Sequence, residues 1–254
     1  AVAIVGSRAC DAYGRAAAEL FAGRLAAAGL VVVSGLARGI DTFSHRAALA
    51  APDGRTVAVL GCGLGVDYPR GSESLRRRIL EQGAIVTEFP PGCSPQPRNF
   101  PIRNRIIAAL GHACLVVQAA KRSGSLITAH LALELGRDVF AVPGRIFDDR
   151  SAGTNALIRD GAHPVQSPDD LLETLPVAVK ERLPAGTPAT VGELPGGIAA
   201  AILDATAVGS PRTVDDICER SGVSASQAVS ALVELELDGH VVRHPGSAYS
   251  RRAT

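Results

Sequence analysis

Tryptophan is absent from this chain of 254 residues, and aromatic residues together make up only 4% of it. A surface that works by stacking rings is therefore thinly supplied. Lysine is nearly absent too, Lys121 and Lys180 being the only two. A Walker-type phosphate loop needs Gly-Lys followed by Ser or Thr, whereas these lysines follow Ala120 and Val179, so P-loop hydrolysis is excluded. No apolar run approaches the roughly 18–20 uncharged residues that span a bilayer. The first residues, Ala1-Val2-Ala3-Ile4-Val5, carry no basic leader or cleavage site, and there is no initiator Met. A soluble, cytoplasmic protein with no membrane partner is expected. The Cys residues at 10, 62, 93, 114 and 218 are odd in number and form no Cys-x-x-Cys pair. That pattern argues against a disulfide framework and against a Cys-rich metal site. Buried thiols in a reducing compartment are the expectation.

Catalytic patterns are also missing. No pair of the six His has His-Glu-x-x-His spacing, and no Gly-x-Ser-x-Gly elbow occurs. His45 falls inside an Asp41–Ala50 helical pattern and reads as a packed or capping histidine. No carboxylate pair stands out as an acid/base couple. Little in the sequence points to an enzyme, and nothing points to a bound metal or cofactor. A dinucleotide fingerprint fails as well: one glycine follows the first strand, and Gly61 and Gly63 would need a third at the position of Val66.

What is present is a long alternation. Apolar residues are 46% and charged residues 20%, the balance of a globular chain of one large or two modest domains. Strand patterns at Ala1–Val5, Leu30–Val33, Thr56–Leu60, Ala84–Thr87, Cys114–Val117 and Asp138–Val142 are continuous apolar runs, as in a sheet covered on both faces. Helical patterns lie between them, at Tyr13–Ala28, Asp41–Ala50, Ser72–Gln82, Ile102–Leu110 and Ser125–Leu135. Residues 1–175 thus read as an open, mostly parallel α/β sheet. Residues 176–196, with Pro184, Pro188, Pro195 and little periodicity, read as a linker. Residues 197–254 give helix, capped helix-turn-helix and hairpin, the order of a winged helix: Ile198–Ala205, Thr213 before Val214–Arg220, Ser224 before Ala225–Asp238, a stop at Gly239, then strands around Pro245-Gly246. Charge divides with the domains. Residues 1–175 hold 19 Lys and Arg against 16 Asp and Glu, and the remainder 7 against 9.

In such a sheet, ligands bind beyond the carboxyl ends of the strands. The first strand leads into Gly6-Ser7-Arg8, and the second into Ser34-Gly35-Leu36-Ala37-Arg38-Gly39-Ile40-Asp41. The third leads into Gly61-Cys62-Gly63, and beyond the fifth Lys121-Arg122-Ser123-Gly124-Ser125 opens a helix. Small residues, open backbone N–H groups, helix starts and Arg or Lys compose an anion site. Taken singly, Gly6 and Gly35 are equally well explained as tight turns, Arg8 and Arg38 as solvated surface, and Asp41 as an N-cap. Arg103-Asn104-Arg105 reads alone as the polar face of a first helical turn, and Arg76-Arg77-Arg78 as solvated helix surface. Several such loops at one edge point to a ligand with several phosphates. The rings nearest them are Phe43, Tyr68 and Phe100, so affinity should rest on phosphates more than on stacking.

The loops resemble those of the DNA-processing protein A family (DprA, also called Smf). The resemblance is carried by Val5-Gly6-Ser7-Arg8, Ser34-Gly35-Leu36-Ala37-Arg38-Gly39-Ile40-Asp41 with His45, Gly61-Cys62-Gly63 with Tyr68-Pro69, and Phe100-Pro101-Ile102-Arg103-Asn104-Arg105. Ser123-Gly124-Ser125-Leu126-Ile127-Thr128 and Val142-Pro143-Gly144 with Gly153-Thr154-Asn155 continue it to about residue 162. The resemblance implies an extended Rossmann-like fold that binds single-stranded DNA without hydrolysing nucleotide. It also implies a homodimer formed through that domain and loading of the RecA recombinase onto incoming DNA in natural transformation. Family members often carry a small helical domain ahead of the Rossmann-like unit, and this chain begins after that point. By motif, Ser7, Arg8 and Arg103-Asn104-Arg105 would line the DNA groove, and Lys121, Arg122 and Ser123-Gly124-Ser125 would meet phosphates. Gln118 stands where relatives often have Glu and is read as a lip residue near the DNA.

Two other classes remain in view. A Rossmann-like domain can bind or hydrolyse a small nucleotide, but the Pro-Gly-Gly-x-Gly-Thr loop that would favour hydrolysis is here only Val142-Pro143-Gly144-Arg145. A winged-helix transcription factor needs a basic reading helix, whereas Ala225–Asp238 has no Lys or Arg. Arg243, Arg251 and Arg252 would give at most a weak wing contact.

Overall fold

The computed structural model describes residues 1–183, 197–237 and 240–251. The chain divides into two compact units, residues 1–10 with 17–186 and residues 11–16 with 187–254. Most of the linker reading, with its three prolines, and the helix stop at Gly239 lie outside the described residues, as does Arg252. The described part of the linker holds a short helix at Val177–Lys180.

In the first unit the strands are β1 (Val2–Val5), β2 (Val32–Ser34), β3 (Thr56–Val59), β4 (Ala84–Val86), β5 (Ala113–Val116), β6 (Asp138–Ala141) and β7 (His163–Pro164). They form one parallel sheet in the order β4-β3-β2-β1-β5-β6-β7. β1, β2 and β5 are buried at every residue, which is why they read as unbroken apolar runs. The two-residue β7 carries Pro164 and sits at the sheet edge, where a missing N–H costs no ladder bond. A strand that short leaves no periodicity to find in the sequence.

The crossovers are α1 (Ala12–Ala27), α2 (Ile40–Ala50), α3 (Glu73–Gln82), α4 (Asn99–Leu110), α5 (Gly124–Glu134) and α6 (Ala152–Arg159), followed by α7 (Pro168–Thr174). α4 begins before Pro101 rather than after it, because the first-turn N–H groups of a helix have no intrahelical acceptor to lose. Asp41 is not the cap of α2. Gly39 holds that place with φ 78°, and the Asp41 carboxylate turns back to accept from the N–H groups of Gly35 at 3.1 Å and Ala37 at 3.3 Å. His45 is fully buried, its Nδ1 2.7 Å from the Thr56 hydroxyl. Cys62 and Cys114 are buried, and none of the five cysteines is in a disulfide.

In the second unit, α8 (Ile198–Ala205), α9 (Val214–Ser221) and α10 (Ala225–Leu237) stand with a small antiparallel sheet of β8 (Arg212–Thr213), β9 (Val241–His244) and β10 (Ala248–Arg251), in the order β8-β10-β9. Thr213 and Asp216 close a capping box at the start of α9. Ile202, Leu203, Ile217, Ala228, Leu232, Leu235, Val241 and Tyr249 fill its core. This is the three-helix, winged arrangement expected from the sequence.

Candidate functional site

Chain order runs outward from β1 in one direction through β2, β3 and β4, and in the other through β5, β6 and β7. The exits of β1 and β5 therefore diverge, which opens a crevice at the topological switch point. An open cavity of about 730 Å³ lies there, lined by the loops after β1, β2, β3, β4 and β5 and by one side of α4.

The loop after β1 is held from both sides. Ser7 N–H donates to the Gln118 carbonyl at 2.7 Å, and Ile40 N–H donates to the Ser7 carbonyl at 3.1 Å. Gly6 is required because a Cβ there would come within 2.6 Å of Ile40. The Ser7 hydroxyl accepts from Ala9 N–H at 3.1 Å and closes the turn that presents Arg8. Arg8 is exposed, its guanidinium carbon 5.0 Å from the centroid of the Phe100 ring. Phe100 meets Tyr68 at 5.3 Å between centroids. The two rings thus form a wall of the cleft with a cation laid over it.

Beneath the wall lies a buried polar relay. Arg103 is 4% exposed and donates to the carbonyls of Gly35, at 2.7 Å, and Val59. Its Nε donates to Asn104 Oδ1 at 3.3 Å, and Asn104 Nδ2 donates to the Gly124 carbonyl at 3.2 Å. One arginine and one asparagine therefore bind the exits of β2 and β3 to the start of α5. A Cβ on Gly35 would stand 2.4 Å from the Arg103 guanidinium, so this glycine makes room for a protein group and not for a ligand. Burial pushes Arg103 toward losing its proton and Asp41 toward holding one. The charge of each partner opposes the change in the other. Burial, with Arg103 nearby, drives His45 down to about 3, so the imidazole is neutral.

The start of α5 is open. Ser123 caps it, its hydroxyl accepting from Ser125 N–H at 3.4 Å and lying 2.7 Å from the Ser125 hydroxyl. Around Gly124 no other group comes within 4 Å of a would-be Cβ. Arg122 is exposed on the same lining. The uncrowded Gly124 backbone, the positive end of the helix dipole and the Arg122 guanidinium share this spot, a composition suited to an anion.

The cleft thus gathers Gly6, Ser7, Arg8, Arg103, Asn104, Arg122, Ser123, Gly124 and Ser125 of the residues expected from the sequence. Ser34 and Gly35 are buried behind it, the Ser34 hydroxyl donating to the Ile4 carbonyl at 2.6 Å. Arg38 and Lys121 are exposed but do not line it. Arg105, also off the lining, pairs with Glu88 at 2.5 Å. Gln118 is fully buried and is no lip residue, because its backbone is tied to Ser7 directly behind the β5 exit. Phe43 is half-buried in α2 and outside the cleft. Among the described residues no cluster of His, Cys, Asp or Glu is arranged to hold a metal, and no helix is long and apolar enough to cross a membrane.

Fold and cleft together define a class: a Rossmann-like domain with an open, arginine-lined crevice at its switch point, followed by a winged helix. The sequence profile of DNA recombination-mediator protein A matches residues 1–176, and that of the DprA winged helix domain matches residues 187–247. The chain belongs to the DNA recombination-mediator protein A family. It is 44% identical over 248 residues to protein Smf of Escherichia coli, covering 96% of this chain and 66% of that protein. It is 40% identical over 243 residues to a putative DNA processing protein DprA of Mycobacterium tuberculosis, covering 94% and 61%. The chain therefore spans a little under two thirds of the length of these relatives. An X-ray structure of DNA processing protein A from Streptococcus pneumoniae superimposes with a TM-score of 0.64 at 46% identity, covering 69% of this chain and 61% of that one. The protein of the same name from Helicobacter pylori, whose structure concerns its single-stranded DNA binding mode, gives 0.63 at 30% identity, covering 71% and 80%.

Proposed function

We propose that this chain binds single-stranded DNA in the switch-point cleft, as a binding protein and not a nucleotide hydrolase. The observation that carries this is the open start of α5 sharing one cleft with Arg8 and Arg122. Separate anion positions along one crevice suit consecutive phosphates of a flexible backbone better than a lone nucleotide or a rigid duplex. The Helicobacter pylori structure, which concerns a single-stranded DNA binding mode, supports the same ligand. Family membership supports the biological setting: DNA processing in natural transformation and recombination in the cytoplasm, by a homodimer joined through the Rossmann-like unit, with the strand passed on by loading the RecA recombinase.

The test is a titration against a single-stranded oligonucleotide, a duplex of equal length and free nucleotides over a range of salt. Single strands should bind best. Log affinity should fall against log salt with a slope near −0.7 for each phosphate neutralised. Equal affinity for duplex, tighter binding of a mononucleotide, or a flat salt response would each reject the proposal.

A further inference from the structure

The loop after β6 ends in two large apolar side chains held in water: Ile146 is 82% exposed and Phe147 97%. They are the central pair of a four-residue turn, closed by Asp148 N–H donating to the Arg145 carbonyl at 3.1 Å. Central turn positions favour Gly, Pro, Asn and Asp; here they carry isoleucine and phenylalanine. The turn is braced on both sides. Asn155 clasps its base, Oδ1 accepting from Gly144 N–H and Nδ2 donating to the Gly144 carbonyl, each at 3.1 Å. The Asp148 carboxylate accepts from the N–H of Arg150 at 3.0 Å and from its Nε at 3.1 Å. A rigid mount that holds a phenyl ring out in solvent does nothing for the core beneath it.

Its position indicates what covers the ring. β6 lies beside β5, and the far end of the loop is stitched to the β5 exit by Gly153 N–H donating to the Ala119 carbonyl at 2.7 Å. Gly153 also backs onto the Ala120 carbonyl so closely that a Cβ would stand 2.6 Å from it. Ala120 leads directly into exposed Lys121 and Arg122 and the open start of α5. Exposed cations thus follow the β5 exit, one strand over from the loop that carries the ring and at the same edge of the sheet. Phe100, inside the cleft, is already covered by Arg8, whereas Phe147 is bare.

We propose that a single strand leaving the cleft passes over the Lys121-Arg122 turn and lays one base against Phe147. Phosphates meet the cations and the base meets the ring, the pairing that single-strand grooves use. A protein partner would call for a broader apolar surface. Here the two apolar residues are flanked by Arg145, Asp148, Asp149 and Arg150.

This inference rests on the single-strand reading above, and the experiment separates the two. Because the chain has no tryptophan, Phe147→Trp places the only tryptophan at the tip, where it can be excited apart from the three tyrosines. Oligothymidylates of increasing length are followed in parallel by tryptophan emission and by anisotropy of a label on the DNA. Short strands should bind without changing the emission, and longer ones should quench it. Phe147→Ala, with an unchanged melting temperature, should weaken binding of the long strands about five-fold or more while leaving the short ones unaffected. Anisotropy that reports bound long strands with unquenched emission, or a Phe147→Ala protein that binds every length as the wild type does, would overturn the tip contact alone. Emission that shifts with protein concentration in the absence of DNA would overturn it in favour of a protein contact. Wild-type protein that binds no strand of any length would remove the single-strand reading, and the tip contact with it.

Discussion

Arg8 and Arg103 line the same cleft, and their surroundings give them opposite work. Arg8 is exposed, its guanidinium laid over an aromatic wall. Arg8→Ala should weaken single-strand binding by about 1–3 kcal/mol, the scale of a charged hydrogen-bonded contact, and leave the melting temperature nearly unchanged. Arg103 is buried on two carbonyls and an asparagine, with Asp41 close by. Its loss leaves those acceptors and a buried carboxylate unanswered, so Arg103→Ala should cost roughly 3–5 kcal/mol of stability. Denaturant melts read beside binding isotherms separate the two arginines. His45 makes a pH prediction. Its value of about 3 in the folded chain lies below the ordinary 6.5, so between those limits the unfolded chain takes up a proton that the folded one refuses. Its contribution is present above pH 6.5 and is lost as the pH falls toward 3. Asp41, raised by burial, works in the opposite direction, while Asp148, Asp170 and Asp216, lowered by their hydrogen bonds, work in the same direction as His45. The difference between wild type and His45→Gln isolates the histidine. The variant's stability should fall less steeply on acidification, by up to about 1.4 kcal/mol per pH unit. Parallel pH profiles would refute the assignment.

Among the elements, α5 carries the sharpest test, because its first residue has nothing against it. Gly124→Ala meets open space and removes chain freedom from the unfolded state, so it should raise stability by about 0.4–1 kcal/mol. The same methyl group stands where a phosphate would approach the backbone, so single-strand affinity should fall. Stability and binding moving together would contradict the anion site. This element also shows what could be read in the sequence and what could not. The Ser-Gly-Ser start, the apolar strands and the capping box at Thr213 are local patterns, and they sit within a residue or two of their expected places. Arg103 was not legible in the same way. Its position in an Arg-Asn-Arg run advertises a solvent-facing cation, and only the fold reveals that Gly35 was left bare to admit it. The same holds for Gln118, whose burial follows from a backbone bond to a loop more than a hundred residues earlier, and for Asp41, whose carboxylate caps the loop behind it. Phe147 escaped notice because one phenylalanine in a polar stretch has no period. Its meaning lies in the clasp that Asn155 places under it.

At the scale of the whole molecule, the excess of basic residues and the cleft lie in the first unit. The exposed positions of α10 include Val229, Val233, Glu234 and Glu236, without a cation among them. A helix that reads the major groove does so largely with Arg, Lys, Asn and Gln. We therefore expect a chain ending at residue 190 to keep single-strand affinity within a few-fold of the full one. Loss of binding by a truncated protein that still melts cooperatively, or tight duplex binding by residues 191–254 alone, would move the DNA site to the winged helix. The Arg103–Asn104 relay has a kinetic consequence. Three loops that wall the crevice are bolted together by internal hydrogen bonds before any strand arrives. Capture then needs no closing step, and observed association should rise linearly with strand concentration without reaching a plateau. Salt should slow the encounter, and the lifetime of the complex should be set by how many phosphates must let go at once.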